Sequence, residues 1–236
     1  MGPFGFYYFD YTWFLFMVPA LIVTMAAQIR VKSAFAKYSR VRTMRGMTGA
    51  QAAEAVARFG GANVRIQPVA GSLTDNFDPR NRTISLSRDV YASTSVAAVG
   101  VAAHEAGHAA QDAEGYLPNR IRTALVPVTN VGSRASVPLI IIGLILPVQY
   151  DFIVYAGIIL YALVVLFELA TLPVEINASR RAVHALDETG ILTPEELSGA
   201  KKVLTAAAMT YLAASFSAML TLLRFLVLAG NRRGDD

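Results

Sequence analysis

The chain has 236 residues, of which 54% are apolar and only 16% are charged, and its mean hydropathy is +0.44. Soluble domains carry about 25% charged residues, so this composition excludes an ordinary soluble protein and indicates a membrane protein with long apolar runs. The absence of cysteine excludes disulfides and thiolate metal ligands. The net charge of +4 does not indicate nucleic-acid binding, because the basic residues flank apolar runs.

The first predicted element is an apolar span over residues 11–29, which ends at Arg30 and Lys32. Residues 1–10 contain no Lys or Arg, so the segment lacks the basic start of a cleaved signal peptide. We therefore predict an N-terminal transmembrane anchor over residues 1–29. The basic segment that follows, residues 30–46, is either a solvated connector or the cytoplasmic flank of the span.

Residues 30–130 are predicted to form a water-facing catalytic region that contains helices and a small sheet. Thr48-Gly-Ala-Gln51 is a capping-box pattern that opens a helix ending near Phe59. Residues 64–66 and 83–87 alternate apolar and polar side chains, as short strands do. The edge of the second strand is a candidate for pairing with an extended peptide substrate, and the alternative is a purely structural strand.

His104-Glu105-Ala106-Gly107-His108 lies in a helix predicted from about Val96 to Asp112. Residues four apart share a helix face, so His104 and His108 can bind one Zn²⁺, with Glu105 beside them as general base. The alternative is a chance match on a helix. Because the chain has no cysteine, the third ligand must be a carboxylate or the remaining histidine, His184.

Two further apolar spans lie within residues 131–173, and the short linker Gln149-Tyr150-Asp151 between them predicts a transmembrane hairpin. Residues 174–202 are predicted to be a helical segment, in which Thr193-Pro194-Glu195-Glu196 has the pattern of a helix start. Residues 203–236 are predicted to form a C-terminal transmembrane helix and tail.

The distribution of basic residues predicts the topology of the spans. Fourteen Lys and Arg residues lie from Arg30 to Arg134 and four lie in residues 174–202, so 18 of the 21 fall on one side if all four spans cross. The positive-inside rule places that side in the cytoplasm. The predicted metal site therefore faces the cytoplasm.

Glu175 is the best candidate for the third ligand, because it lies at the predicted cytoplasmic end of the third span. Its helix face carries small residues, which allow close packing on the Ala- and Gly-rich metal helix: Ala178, Ser179 and Ala182. His184 lies about 180° around the helix from Glu175 and is interpreted as a surface histidine. The alternative role for Glu175 is a solvated charge near a helix start.

A resemblance rests on His104-Glu-Ala-Gly-His-Ala and the later Glu175-x-x-Ala-Ser-Arg-Arg-Ala. With Leu73-Thr-Asp-Asn-Phe-Asp-Pro-Arg80 and a short strand after it, these motifs resemble the YugP-type neutral zinc metallopeptidases of bacterial membranes. The likeness covers nearly the whole chain. It implies a bacterial inner-membrane zinc peptidase whose ligands are His104, His108 and Glu175.

The chain is more distantly similar to gluzincin membrane proteases of the HtpX and CAAX-prenyl-protease kind. Those proteases carry Glu-x-x-x-Asp, and Ser179 stands where that aspartate would fall. The resemblance therefore carries over the ligand Glu175 but not the aspartate that braces a ligand histidine. Ser179, Asn177 and Asp112 are the candidates for that hydrogen bond.

The implied chemistry is peptide-bond hydrolysis by a zinc-activated water, with Glu105 as general base and the leaving amine as final proton acceptor. Arg180, Arg181 or a tyrosine such as Tyr211 is the candidate partner for the oxyanion. The expected partners are a protein or peptide substrate and the lipid bilayer, with no nucleic acid and an open oligomeric state.

The fold class predicted is a mostly α-helical membrane protein with about four transmembrane helices and a small α+β zincin-like catalytic domain that carries a short β-sheet. One alternative, a site-2-type intramembrane protease, requires an Asp-Gly ligand motif, and the chain has no such dipeptide. The other alternative is a catalytically inactive membrane scaffold or binding protein that retains a zinc-site helix, against which the intact Glu105, His104 and His108 argue.

Overall fold

The computed structural model describes residues 11–72 and 74–232. Leu73 of the motif described above, residues 1–10 of the predicted anchor and residues 233–236 of the predicted tail lie outside the described residues. Within the described residues, the elements in chain order are α1 (Val18–Tyr38), α2 (Gly49–Phe59), β1 (Arg65–Val69), β2 (Asn76–Asp78), β3 (Thr83–Ser87), α3 (Arg88–Tyr91), α4 (Val96–Ala113), α5 (Leu117–Ile145), α6 (Asp151–Glu188) and α7 (Pro194–Asn231).

The chain divides into two compact units. Of the described residues, the apolar unit comprises 11–26, Ile121–Thr171 and 211–232. The sheet unit comprises Ala27–Arg120 and Leu172–Thr210. Each unit has its own cluster of buried apolar side chains.

Among residues 11–72 and 74–232, four helices are long and apolar enough to cross a membrane, which confirms the predicted number of spans: Trp13–Tyr38, Leu117–Ile145, Val148–Glu188 and Pro194–Asn231. These helices extend well beyond the apolar runs that predicted them. In particular, α6 continues through Pro173 and Glu175 without a break and ends at Glu188. Proline within an apolar helix is tolerated where neighbouring groups satisfy the freed backbone carbonyl.

The apolar unit contains the predicted hairpin of α5 and α6, joined by a 3₁₀ turn at Val148–Tyr150. The two helices approach closely because glycine lies at their contact. A Cβ atom added at Gly157 would lie 2.8 Å from the carbonyl oxygen of Ser136 on α5. Small residues at such contacts let backbones approach, which is the usual basis of helix pairing in membranes.

The sheet unit contains a three-stranded sheet in the order β1-β3-β2. β3 pairs in parallel with β1 and antiparallel with β2, so it is the central strand. The expectation that a peptide substrate pairs with the edge of β3 is therefore wrong, because β1 pairs along the whole of one edge and β2 pairs with Thr83, Ile84 and Ser85 on the other. The three-residue β2 was missed because it is too short for a detectable alternation.

The helix α4 forms the centre of the sheet unit, and most of its residues are buried. Its N-cap is Ser95, whose hydroxyl accepts a hydrogen bond from the backbone of Ala98 at 3.2 Å. Gly107 of α4 lies directly against the backbone of α6, and a Cβ atom added there would overlap the carbonyl oxygen of Ala178. Only glycine at position 107 permits this approach of α4 to α6.

We expect Gly107→Ala to lower the stability of the sheet unit. The added methyl group must displace backbone rather than a flexible side chain, and such overpacking costs about 1–3 kcal/mol. The measurement is the midpoint of thermal unfolding in detergent micelles.

Gly100→Ala on the same helix is the matched control. Its added Cβ atom would meet the Cβ atom of Ala200 at 3.4 Å, which is close to ordinary contact. Alanine also favours a helix interior over glycine by about 0.5–1 kcal/mol. Equal midpoints for the two variants would contradict the assigned backbone contact at Gly107.

Candidate metal centre

Helices α4 and α6 bring three predicted ligand side chains together within the sheet unit. His104 and His108 lie one turn apart on α4, and Glu175 lies on α6. The Oε2 atom of Glu175 is 3.3 Å from Nε2 of His104 and 3.4 Å from Nε2 of His108. Candidate ligand atoms of the three residues all lie within 4.8 Å of one another.

These separations fit a tetrahedral zinc ion. Zinc binds nitrogen and carboxylate oxygen at about 2.0–2.2 Å, so two of its ligand atoms lie about 3.3 Å apart at the corners of a tetrahedron. The Glu175 side chain is only 3% exposed, whereas those of His104 and His108 are 14% and 12% exposed. Two imidazoles and one carboxylate are the donor set of known catalytic zinc sites.

The electrostatics of the cluster favour a bound cation. Burial is the largest single influence on the His108 ring and lowers its pKa, but the hydrogen bonds to Glu175 and Gln111 and the charges of Glu105 and Glu175 together raise that pKa above its usual value. Protons and metal ions compete for the same ring nitrogens. The cluster therefore attracts positive charge to the point where the three side chains meet.

Both histidines have a second hydrogen-bond partner at Nδ1. The Ser179 hydroxyl oxygen lies 3.1 Å from Nδ1 of His104, and Oε1 of Gln111 lies 3.1 Å from Nδ1 of His108. Groups in this position orient a ligand histidine and tune its basicity. Sequence analysis missed Gln111, although its place three residues after His108 puts both on one helix face.

The other two candidates for a histidine partner are placed differently. Asn177 lies on α6 and accepts a hydrogen bond from Nε2 of Gln111 at 2.9 Å, so it reaches His108 only through that amide. Asp112 is exposed at the end of α4, and within the described residues its side chain has no hydrogen bond to either ligand histidine. Ser179 is thus the one of the three that contacts a ligand directly.

Glu105 lies beside the metal cluster and is nearly buried, with 9% of its surface exposed. Burial raises the pKa of its carboxyl, and the charges of His104 and His108 oppose that rise only in part. The carboxylate of Asp75 also raises the pKa of Glu105. Asp75 is held by the backbone N–H of Ser87 at the end of β3, at 2.8 Å.

The structure also places the basic residues of the site helix. Arg181 donates from Nη1 and Nη2 to the Glu114 carboxylate at 2.7 and 2.8 Å, whereas Arg180 is exposed. His184 faces the ring of Phe59, with centroids 5.9 Å apart, and does not join the metal cluster. Arg180, Arg181 and His184 line an open cavity of about 520 Å³.

Comparison with known proteins identifies the family. The family model described as "Putative neutral zinc metallopeptidase" matches residues 13–230. The chain is 40% identical over 225 residues to the "Putative membrane protease YugP" of Bacillus subtilis (strain 168), an alignment that covers 94% of this chain and 99% of that protein. No solved structure matches the chain. The chain therefore belongs to the family of neutral zinc metallopeptidases that this family model describes.

Proposed function

We propose that the protein is a membrane-embedded zinc metalloendopeptidase that hydrolyses peptide bonds in protein or peptide substrates. The observation that supports it best is the convergence of His104, His108 and Glu175 at zinc-ligand separations of 3.3 and 3.4 Å. Family membership supports the same activity. The proposed ligands are these three residues, and the proposed general base is Glu105.

A bound zinc ion would supply a Lewis acid that lowers the pKa of a water and polarises the scissile carbonyl. Glu105 follows the ligand His104 directly and would take the proton of the attacking water and pass it to the leaving amine. Its burial supports this role, because a raised carboxyl pKa makes the protonated form accessible during turnover.

The remaining roles in the proposed site fall to residues of α6. Ser179 would hold the ring of His104 through Nδ1, at the place where the more distant relatives carry aspartate. Arg180 is the better candidate for a contact with the substrate carbonyl, because the guanidinium of Arg181 is committed to Glu114 and Asn177. Arg180 has no ion pair within the described residues.

We expect Glu175→Ala to lose stoichiometric zinc and His184→Ala to retain it. Removing Glu175 deletes one of three ligands, whereas the His184 ring lies against Phe59 and outside the cluster. The measurement is the zinc content of purified protein after dialysis against a weak chelator. Zinc retained by the first variant and lost by the second would reject the proposed ligand set.

We expect Glu105→Gln to retain zinc and to lower casein cleavage at least about 100-fold, because general base catalysis contributes about 10²–10⁴-fold. The amide keeps the size of the side chain but cannot accept the proton. Glu54→Gln is a matched control, because Glu54 is an exposed residue paired with Arg58 on α2. A protein that binds zinc but cleaves nothing, before or after this substitution, would instead be a binding protein or scaffold.

We also propose that the chain resides in the bacterial inner membrane with the metal site on the cytoplasmic side. The positive-inside rule supports this orientation. Because the chain has no native cysteine, single cysteines can report it without background. In spheroplasts, a membrane-impermeant maleimide is expected to label Gln149→Cys, and to label Glu54→Cys only after permeabilisation. The reverse labelling pattern would invert the proposed topology.

A further inference from the structure

We propose that Gln111 is a positioning residue that fixes the proton of the His108 ring on Nδ1, so that Nε2 offers its lone pair to the metal. This inference rests on the zinc site proposed above. Gln111 is completely buried on α4. A buried amide that makes specific hydrogen bonds in a dry environment has a defined orientation, because reversing it leaves polar groups unsatisfied.

The backbone of α6 determines which way the Gln111 amide points. The terminal group of Gln111 lies 2.8 Å from the carbonyl oxygen of Val174. A carbonyl oxygen only accepts hydrogen bonds. The amide nitrogen of Gln111 therefore faces Val174, and the amide oxygen faces His108.

A second chain of contacts leads independently to the same orientation. The Arg181 guanidinium only donates, so the Asn177 atom that lies 2.7 Å from its Nε must be the side-chain oxygen. Gln111 lies 2.9 Å from that same oxygen and must donate to it. Arg181 is itself held in place by the carboxylate of Glu114.

The orientation of Gln111 determines where the proton on His108 lies. The amide oxygen of Gln111 only accepts, and it lies 3.1 Å from Nδ1 of His108, so Nδ1 must carry a hydrogen. In the neutral ring, Nε2 then presents its lone pair toward Oε2 of Glu175, which is 3.4 Å away. Two electron-rich atoms at that separation repel unless a cation lies between them.

Ser179 cannot constrain the other histidine in this way. A hydroxyl group both donates and accepts, so its contact with Nδ1 of His104 is compatible with either ring tautomer. Only the Gln111 contact is directional. The Gln111 amide therefore fixes the tautomer of His108, whereas the contact with Ser179 allows either tautomer of His104.

Two substitutions of Gln111 separate positioning from packing. Gln111→Leu fills a similar volume but cannot accept a hydrogen bond, and we expect its zinc affinity to fall about 10–100-fold, as for other outer-shell partners. Gln111→Glu introduces a buried carboxylate that still accepts from Nδ1 but loses the amide donor to Val174 and Asn177. Because Leu loses the same donor and also the acceptor for Nδ1, we expect Gln111→Glu to bind zinc at least tenfold more tightly than Gln111→Leu. The affinity is measured by competition with a chromophoric chelator.

A packing role predicts the opposite order, because leucine suits a buried position better than an ionised carboxylate does. Zinc affinity that is higher in Gln111→Leu than in Gln111→Glu would overturn the inference. Asp112→Asn is the matched control, since Asp112 is the exposed neighbour on the same helix. Its zinc affinity is expected to equal that of the unmodified protein.

A spectroscopic test is made on the unmodified protein, and variants serve only to assign its signals. The chain has three histidines, so ¹⁵N-histidine labelling gives three ring systems that single substitutions can assign. In the zinc-loaded protein we expect the His108 spectrum to show a protonated Nδ1 and a metal-bound Nε2. Zinc bound through Nδ1 would overturn the role of Gln111 and leave the proposed activity intact. A protein that binds no zinc would overturn both.

Discussion

The metal cluster depends on one close contact between two helix backbones. Gly107 lies between the proposed ligands His104 and His108, and it packs directly on the carbonyl group of Ala178. A larger residue there would hold α4 and α6 apart and would separate the histidines from Glu175. The free energy of this contact is dispersion between small groups, which is weak per atom and large only in sum. The distance between the two histidines and Glu175 is thus set by the absence of a side chain at position 107.

A hydrogen-bond network also stabilises the contact between α4 and α6. It begins at an exposed ion pair between Glu114 and Arg181, passes through Asn177 and ends at Gln111 beside His108. Within the described residues, none of these side chains has a buried nitrogen or oxygen atom without a hydrogen-bond partner. Fully satisfied networks of this kind specify one arrangement, whereas partly satisfied ones destabilise a core.

Sequence reasoning predicted the four apolar helices, the helix that carries His104 and His108, and Glu175 as a partner from elsewhere in the chain. The helices could be predicted because helix periodicity and apolar length are local properties. Glu175 was instead chosen from its predicted side of the membrane and the small residues on its helix face, and it remains a proposed ligand. The central position of β3 was not predictable. Strand order depends on contacts between distant residues, and a three-residue strand such as β2 is too short to be detected from its sequence pattern. Gln111 was missed for a related reason. The role of an amide side chain depends on its hydrogen-bond partners. The partners of Gln111 on α6, Val174 and Asn177, lie 63 and 66 residues away in the sequence.

The separation of 71 residues between His104 and Glu175 has a consequence for biosynthesis. Both histidines leave the ribosome before any residue of α5 or of α6, and α6 carries the carboxylate. A chain interrupted before the hairpin of α5 and α6 holds only an incomplete ligand set. The proposed hydrolytic activity would therefore arise only after that hairpin has been translated.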